Sequence, residues 1–550
     1  MLHFYPREYA TDADRSTPGS SQVEDATMRN VGPISKLHED VLWKVFLVNA
    51  DMKNDKGGRT YVGDKVAGWT ERALTITWTC SHVCRRWRQL IIHSPSLWGK
   101  LIDLDGLASI RPQWKDEIMR RTGSATLSVK GSVFAQKPTE LSFALSILQD
   151  HWPRIQNLKL RISRGSTLPS RTWKLFYRPA PALQSFYLES RDGFQHPMSP
   201  TPSFGLIFAN HVPLIRHFGS WRYDLKFTPE MTWISCIRRL DVSYNSSMSI
   251  DDWLLALGNM PQIEHLNLML SFPFPPDTRT TTQVHLPNLA EICVNNRLRA
   301  WAVFLAQITP GIGCHLSVST VDEVEPYHPL DLTLATQVLS RYSQNWFNNR
   351  IVTTLSLSVL HTSLFIRERL SNPDAESFQV DVGCAGPDEL STITPLLQAF
   401  SSCDFKNITT FDLLIDLFPF QVLDSSVHRF LASLPSVETL QIILREEPSA
   451  FIPLQNALIL AGHEDQELQT PVLPHVRTVK LLGPQEVWTP ETIEAFLPFL
   501  ILRMKYQAPI QVLDLTDCQI KEGLHILDEI TGLKVVYNSA GGIQEHICGA

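Results

Sequence analysis

The chain has 550 residues, 43% of them apolar, with 49 Lys and Arg against 56 Asp and Glu for a net charge of −7. That balance supplies enough apolar side chain for a folded protein and gives no basic field for nucleic acid or an anionic membrane surface. At ~100–200 residues per domain, the length requires several domains or one core that grows by repetition.

The longest apolar run, Ala495–Leu502, contains Pro498 and is far shorter than the ~20 residues a bilayer-crossing helix needs, so no membrane partner is expected. Met1–Tyr9 carries no apolar leader, and the nine cysteines are scattered without a CxxC pair. Free thiols in a reducing compartment, cytoplasmic or nuclear, are the expectation.

Residues 1–33 are rich in Ser, Thr, Asp, Arg and Gly without periodicity and are expected to form a mobile tail, with order beginning near Ile34. Leu37, Val41, Leu42, Val45 and Phe46 then fall on one face of a helix. Asp51–Gly68, rich in glycine and charge, reads as an exposed loop. Cys80, Val83, Cys84, Trp87, Leu90 and Ile91 again recur at helical spacing, and Pro95 ends that second helix. Ahead of it Leu74, Ile76 and Trp78 alternate with threonines, a period-2 pattern that argues locally for a strand.

From about residue 150 a short unit recurs: apolar, two others, apolar, one other, apolar, often with Pro two residues ahead. Ile155/Leu158/Leu160, Leu183/Phe186/Leu188, Ile263/Leu266/Leu268, Leu289/Ile292/Val294, Val437/Leu440/Ile442 and Val476/Val479/Leu481 are instances. Ile237/Leu240/Val242, Ile510/Leu513/Leu515 and Ile530/Leu533/Val535 continue to Asn245, Cys518 and Asn538, completing a leucine-rich-repeat unit. Each unit predicts a short strand followed by a returning helix, such as the one marked by Trp253, Leu254, Leu257 and Met260. One strand and one helix cannot bury their own apolar face, so the units must stack, and the irregular spacing predicts an irregular solenoid. An ordinary α/β domain with parallel strands is the alternative.

Residues 34–104 resemble an F-box, the adaptor-binding module of Skp–cullin–F-box ubiquitin ligases. The resemblance is carried by Ile34-Ser-Lys-Leu-His-Glu-Asp-Val-Leu-Trp-Lys-Val-Phe46, Val83-Cys-Arg-Arg-Trp-Arg-Gln-Leu90, Ser94-Pro-Ser-Leu-Trp98 and Leu101-Ile-Asp-Leu104. The order of blocks is similar to that of the large fungal F-box-like family, whose members continue into degenerate leucine-rich repeats. The fold this implies is α/β: a small all-α F-box module at 34–104, interrupted by the loop near 50–70, then a degenerate repeat domain over 105–550. The resemblance implies adaptor contacts by Leu37, Val41, Leu42 and Phe46 in the first helix and by Val83, Cys84, Trp87, Leu90, Pro95, Leu97 and Trp98 beyond it. It further implies a substrate receptor whose partners are an Skp-type adaptor, through it a cullin–RING ligase, and a client protein held by the repeats. The family usually has Leu-Pro where this chain has Leu37-His38, so a proline in place of His38 is expected to strengthen adaptor binding.

No GxSxG elbow, phosphate loop, H-E-x-x-H or CxxC pair occurs, so neither catalysis, a cofactor nor a metal is expected. Cys80 and Cys84 would share a helix face without His82, which reads as a buried face rather than zinc. His463, Glu464 and Asp465 read as a solvated charge cluster, and Arg85, Arg86 and Arg88 as a solvated helix face. A repeat scaffold without ligase association and an unrecognised enzyme are the other functional readings. For client binding, positions beside the inward residues are polar early (Lys159, Arg161, Asp241, Ser243, Asn267) and apolar later (Leu414, Ile443, Leu482, Val536). The later set is expected either to be covered or to form an exposed docking patch.

Overall fold

The computed structural model describes residues 37–549 apart from 53–59, 63–64, 68–71, 109, 134–136, 163–169, 191–203, 224–225, 246, 271–281, 322–325, 361–362, 370–376, 384–388, 417–424, 444–471, 483–486, 489, 521–522 and 540–541. The expected tail, Ile34, most of the glycine-rich loop and the His463–Asp465 cluster lie outside the described residues.

Four short helices come first: α1 (Glu39–Asn49), α2 (Ala73–Cys80), α3 (Arg85–Ile92) and α4 (Pro95–Gly99). α1 buries Leu42 and Phe46 and carries Glu39 and Asp40 in its first turn, where negative charge suits the positive end of the helix dipole. A two-stranded antiparallel hairpin, β1 (Thr60–Val62) and β2 (Lys65–Ala67), falls inside the segment expected to be a loop, and Met52 ahead of it is buried. The period-2 stretch is not a strand. It is α2, whose buried side chains Ala73, Leu74 and Thr77 form a helical face; packing overrides the local preference of its threonines. The expected single helix from Cys80 to Ile91 is also divided: Cys80 ends α2, Val83 lies in the turn, and Cys84 caps α3. Pro95 follows the end of α3 and opens α4, where its missing N–H is no loss.

Two buried contacts fix these helices to the first strand of the sheet and to one another. Arg72, at the start of α2, donates to Asp103 at 2.6 Å with both side chains almost fully enclosed. Burial pushes the Asp103 carboxyl up, while the Arg72 guanidinium pulls it down. Trp98 is 1% exposed and its Nε1–H donates to the Ile91 carbonyl at 2.8 Å. The apolar core runs without interruption from Leu42 in α1 into the C-terminal strands.

The rest is mixed α/β around one long sheet. Its first strands are β3 (Ile102–Asp103), β4 (Leu127–Val133), β5 (Ile155–Ile162), β6 (Ser185–Ser190), β7 (His217–Trp221), β8 (Arg239–Ser243) and β9 (His265–Met269), each parallel to the next. β3 lies within the segment assigned to the helical module. β11 (Glu291–Asn296) and β13 (His315–Thr320) extend the parallel run, with β10 (Val284–Leu286) and β12 (Ile308–Pro310) paired beside it. The order then breaks. β14 (Thr354–Leu360), β15 (Ser363–Glu368) and β16 (Gln379–Gly383) form an antiparallel triplet, and β16, not β14, pairs with β13. β14 pairs with β17 (Thr410–Asp416), from which β18 (Thr439–Ile443), β19 (Thr478–Leu482), β21 (Val512–Leu515) and β23 (Lys534–Ser539) again run parallel. β20 (Val487–Trp488) pairs with β22 (Gln519–Ile520) at the side, and β24 (Gly542–Ile547) is antiparallel to β23.

The recurring apolar residues occupy the core. Leu158, Leu188, Leu240, Leu266, Ile292, Leu440, Val479, Leu513 and Leu533 are each at most 2% exposed, under returning helices such as Ile250–Gly258, which opens with a Ser249/Asp252 capping box. Asn245 and Cys518 are buried at strand ends: the Asn245 side-chain Oδ1 accepts from the Ser247 N–H at 3.1 Å, and the Cys518 thiol donates to the Leu481 carbonyl at 3.4 Å. The long interval between Ile292 and Leu355 holds one more parallel strand, β13, with buried Leu316 and Val318, and the 19-residue helix Pro329–Phe347.

Gly99 shows how closely helices and sheet approach. A Cβ there would overlap the carbonyl of Thr126, a backbone group with little freedom to withdraw. Gly99→Ala is expected to cost about 1–3 kcal/mol, read as a lower thermal midpoint; an unchanged midpoint would show that α4 is free to move off this loop.

Candidate functional site

Sequence grouped eleven residues of the helical module as one adaptor surface, and the structure divides them. Leu42, Phe46, Leu97 and Trp98 are buried. Leu37, Trp87 and Leu90 are half-buried, Trp87 meeting Phe46 edge-on with ring centroids 5.1 Å apart. Val41, Val83, Cys84 and Pro95 are exposed. The exposed part of α1 extends beyond that set, because Val41, Val45 and Val48 are 45%, 44% and 74% exposed. At i, i+4 and i+7 they form one apolar stripe on the flank of α1 beside its buried Leu42 and Phe46. Arg86, three residues after Val83, donates to the Leu37 carbonyl at 3.0 Å and lies 3.6 Å from Glu39. The turn carrying Val83 is thereby held near the start of α1.

His38 is not in the first turn but at the N-cap, with extended backbone (φ −62°, ψ 150°), and its Nδ1 accepts from the Asp40 N–H at 3.4 Å. Proline would fit that φ but would remove the capping acceptor, so the gain expected from sequence loses its basis. Cys80, His82 and Cys84 do not bring their donor atoms together; His82 Nδ1 instead bonds the Trp78 carbonyl at 2.8 Å.

A second surface is the sheet face opposite the inward leucines. Residues alternate across a strand, so one row in register crosses β5 to β11 as Lys159, Tyr187, Gly219, Asp241, Asn267 and Cys293. The Tyr187 ring fills the space over Gly219, where any Cβ would overlap it, and Lys159 Nζ lies 4.9 Å from its centroid. Burial, followed by the charges of Glu189 and Asp241, pushes the Tyr187 phenol up to about 12, so it stays a neutral donor at ordinary pH. Around it Arg161 pairs with Glu189 at 2.8 Å and Arg239 with Asp241 at 2.9 Å. Burial raises the Cys293 thiol, which makes it a poor nucleophile. These groups offer mixed-sign charge and hydrogen bonds without a paired nucleophile and base.

The same row continues through Asp412, Gln441, Lys480, Asp514 and Val536. Here Arg369 reaches the buried Asp412 at 2.7 Å and Lys480 reaches Asp517 at 2.6 Å. Of the four apolar residues expected to act together, Ile443 and Leu482 lie directly across from one another and are half-buried. Leu414 follows Leu413, the partner of Ile442, and so joins them, but it is buried. Val536 is out of line with them, in register with Asp514. The apolar group is therefore smaller than expected and bordered by ion pairs that sequence reasoning missed; the polar residues flanking each inward pair were the available signal. No family model and no curated protein matches the chain.

Proposed function

We propose that the chain is the substrate-recognition subunit of a Skp–cullin–F-box type ubiquitin ligase. In this reading α1–α4 form an F-box docked on the adaptor, and the strands with their returning helices are degenerate leucine-rich repeats, an irregular solenoid that presents the client. The observation that carries it is the exposed Val41/Val45/Val48 stripe. An apolar helix face left in solvent is unfavourable unless a partner covers it, and this one lies on the first helix of the segment that resembles an F-box. Sheet residues Ile443 and Leu482, rimmed by Lys480 and Asp514, suit a protein client with a small apolar anchor among polar groups.

The test is co-expression of the full chain with an Skp-type adaptor. A stoichiometric complex on size exclusion supports the reading; a folded chain that elutes alone favours a repeat scaffold without ligase association. For the client, Ile443→Ser with Leu482→Ser is expected to abolish capture of proteins that co-purify with the adaptor complex. Because both residues are only half-buried, the thermal midpoint should fall by a few degrees at most, corresponding to ~1 kcal/mol. Intact capture would move the client site away from these strands.

A further inference from the structure

The C-terminal edge of the sheet holds a group of side chains that adaptor and client binding do not use. Asp528 lies in the short 3₁₀ helix Leu524–Glu529 before β23, while His546 is in β24 and Cys548 lies just after it. Their ligand atoms all lie within 4.8 Å of one another. His546 Nε2 is 2.9 Å from Asp528 Oδ1. The backbone holds the three in place: His546 pairs with Val535 across the β23–β24 ladder, and the Cys548 N–H donates to the Leu533 carbonyl at 2.9 Å. His546 lies next to the last residue of the strand and Cys548 opens the turn after it, and the turn brings both donor atoms to Asp528.

We propose that Asp528, His546 and Cys548 form a binding site for a zinc-type divalent ion that fastens β24 to the 3₁₀ helix beneath it. The donor set, one carboxylate oxygen, one imidazole nitrogen and one thiolate sulfur, is of the borderline-soft kind that selects zinc over magnesium or calcium. Bonds of about 2.0–2.3 Å in a tetrahedral arrangement hold donors roughly 3.3–3.8 Å apart, so closing the site takes side-chain movement of about 1 Å. The fourth position is left for water or for His525, three residues before Asp528. A second observation points the same way. The Cys548 side chain is fully buried at the end of a strand whose own side chains are almost all exposed, including Ile543 at 69% and Ile547 at 58%. An edge strand that buries so little is held by its backbone ladder and by exposed polar links such as Lys534–Glu545 and Tyr537–Gln544, and a metal clip would add a firmer attachment to the 3₁₀ helix. Sequence alone did not show the site because Asp528 is far from the His-x-Cys pair and joins it only through the β23–β24 hairpin.

The experiment is titration of the metal-free full chain with Co²⁺, then Zn²⁺. One equivalent of Co²⁺ should produce a thiolate-to-metal charge-transfer band that Zn²⁺ abolishes, and Zn²⁺ should slow amide exchange in β24. Cys548→Ser should lose the band, and Asp528→Asn, which keeps the shape of the side chain, should weaken Co²⁺ binding at least tenfold. No band at one equivalent, an unchanged band in Cys548→Ser, or β24 exchange indifferent to Zn²⁺ would each overturn the proposal. None of these outcomes bears on adaptor binding, so the two proposals fail separately.

Discussion

Replacing Trp98 by alanine is expected to cost about 3–5 kcal/mol, the largest loss from any single substitution in the helical module. The ring is 1% exposed, its N–H satisfies the Ile91 carbonyl, and the Arg121 guanidinium lies 4.8 Å from its centroid. Truncation therefore opens a cavity, takes one donor from the Ile91 carbonyl, which keeps that of the Ser94 N–H, and removes a cation–π contact at once. The effect should show as a shift in denaturant midpoint together with loss of the near-ultraviolet signal of packed aromatics. Trp87→Ala is the contrast: that ring is half-buried against Phe46, and about 1–2 kcal/mol is expected. Equal losses at the two positions would mean that Trp98 does not hold α4 in the core in the way described.

Val41→Glu with Val45→Glu is expected to raise the dissociation constant for the adaptor by more than about a hundredfold, taking each valine as an interface residue worth at least ~1.4 kcal/mol. Stability should barely change, since both side chains are already about half in solvent and surface substitutions away from special features stay within roughly 0.5 kcal/mol. Leu42→Ala is the complementary variant, because it faces the core and should lose stability whether or not adaptor is present. The pair separates docking from folding, which a change at Trp98 cannot do. Wild-type affinity in the glutamate variant, measured by calorimetric titration, would remove α1 from the adaptor interface.

The strands were the most legible part of the sequence. Leu158/Leu160 and Leu266/Leu268 fall in regular strands because two inward positions under a helix demand apolar side chains wherever a unit is laid down. What sequence lacked was the third dimension. Thr75, Thr77 and Thr79 favour a strand locally, yet the burial of Ala73, Leu74 and Thr77 on one face makes that segment α2. The adaptor set mixed Phe46 with Val41 because both are apolar on one amphipathic pattern, and exposure alone tells a core residue from a docking one. The Tyr187–Gly219 contact and the Arg369–Asp412 pair depend on which strands are neighbours. The β14–β15–β16 reversal settles the second of these, and no local pattern announces it.

That reversal also bears on how the chain reaches its native state. On either side of it, register partners on neighbouring strands lie 22 to 39 residues apart, so their pairings close short loops and can form one after another as the polypeptide is made. At the reversal, Ser317 meets Gln379 and Thr354 meets Thr410, separations of about sixty residues, and β13 must wait for β16 while β14 waits for β17. The barrier to folding should accordingly concentrate there. Two half-sheets are expected to assemble early and to join in a late step, so substitutions in the triplet should slow refolding while equivalent ones in β5 or β19 should mainly hasten unfolding.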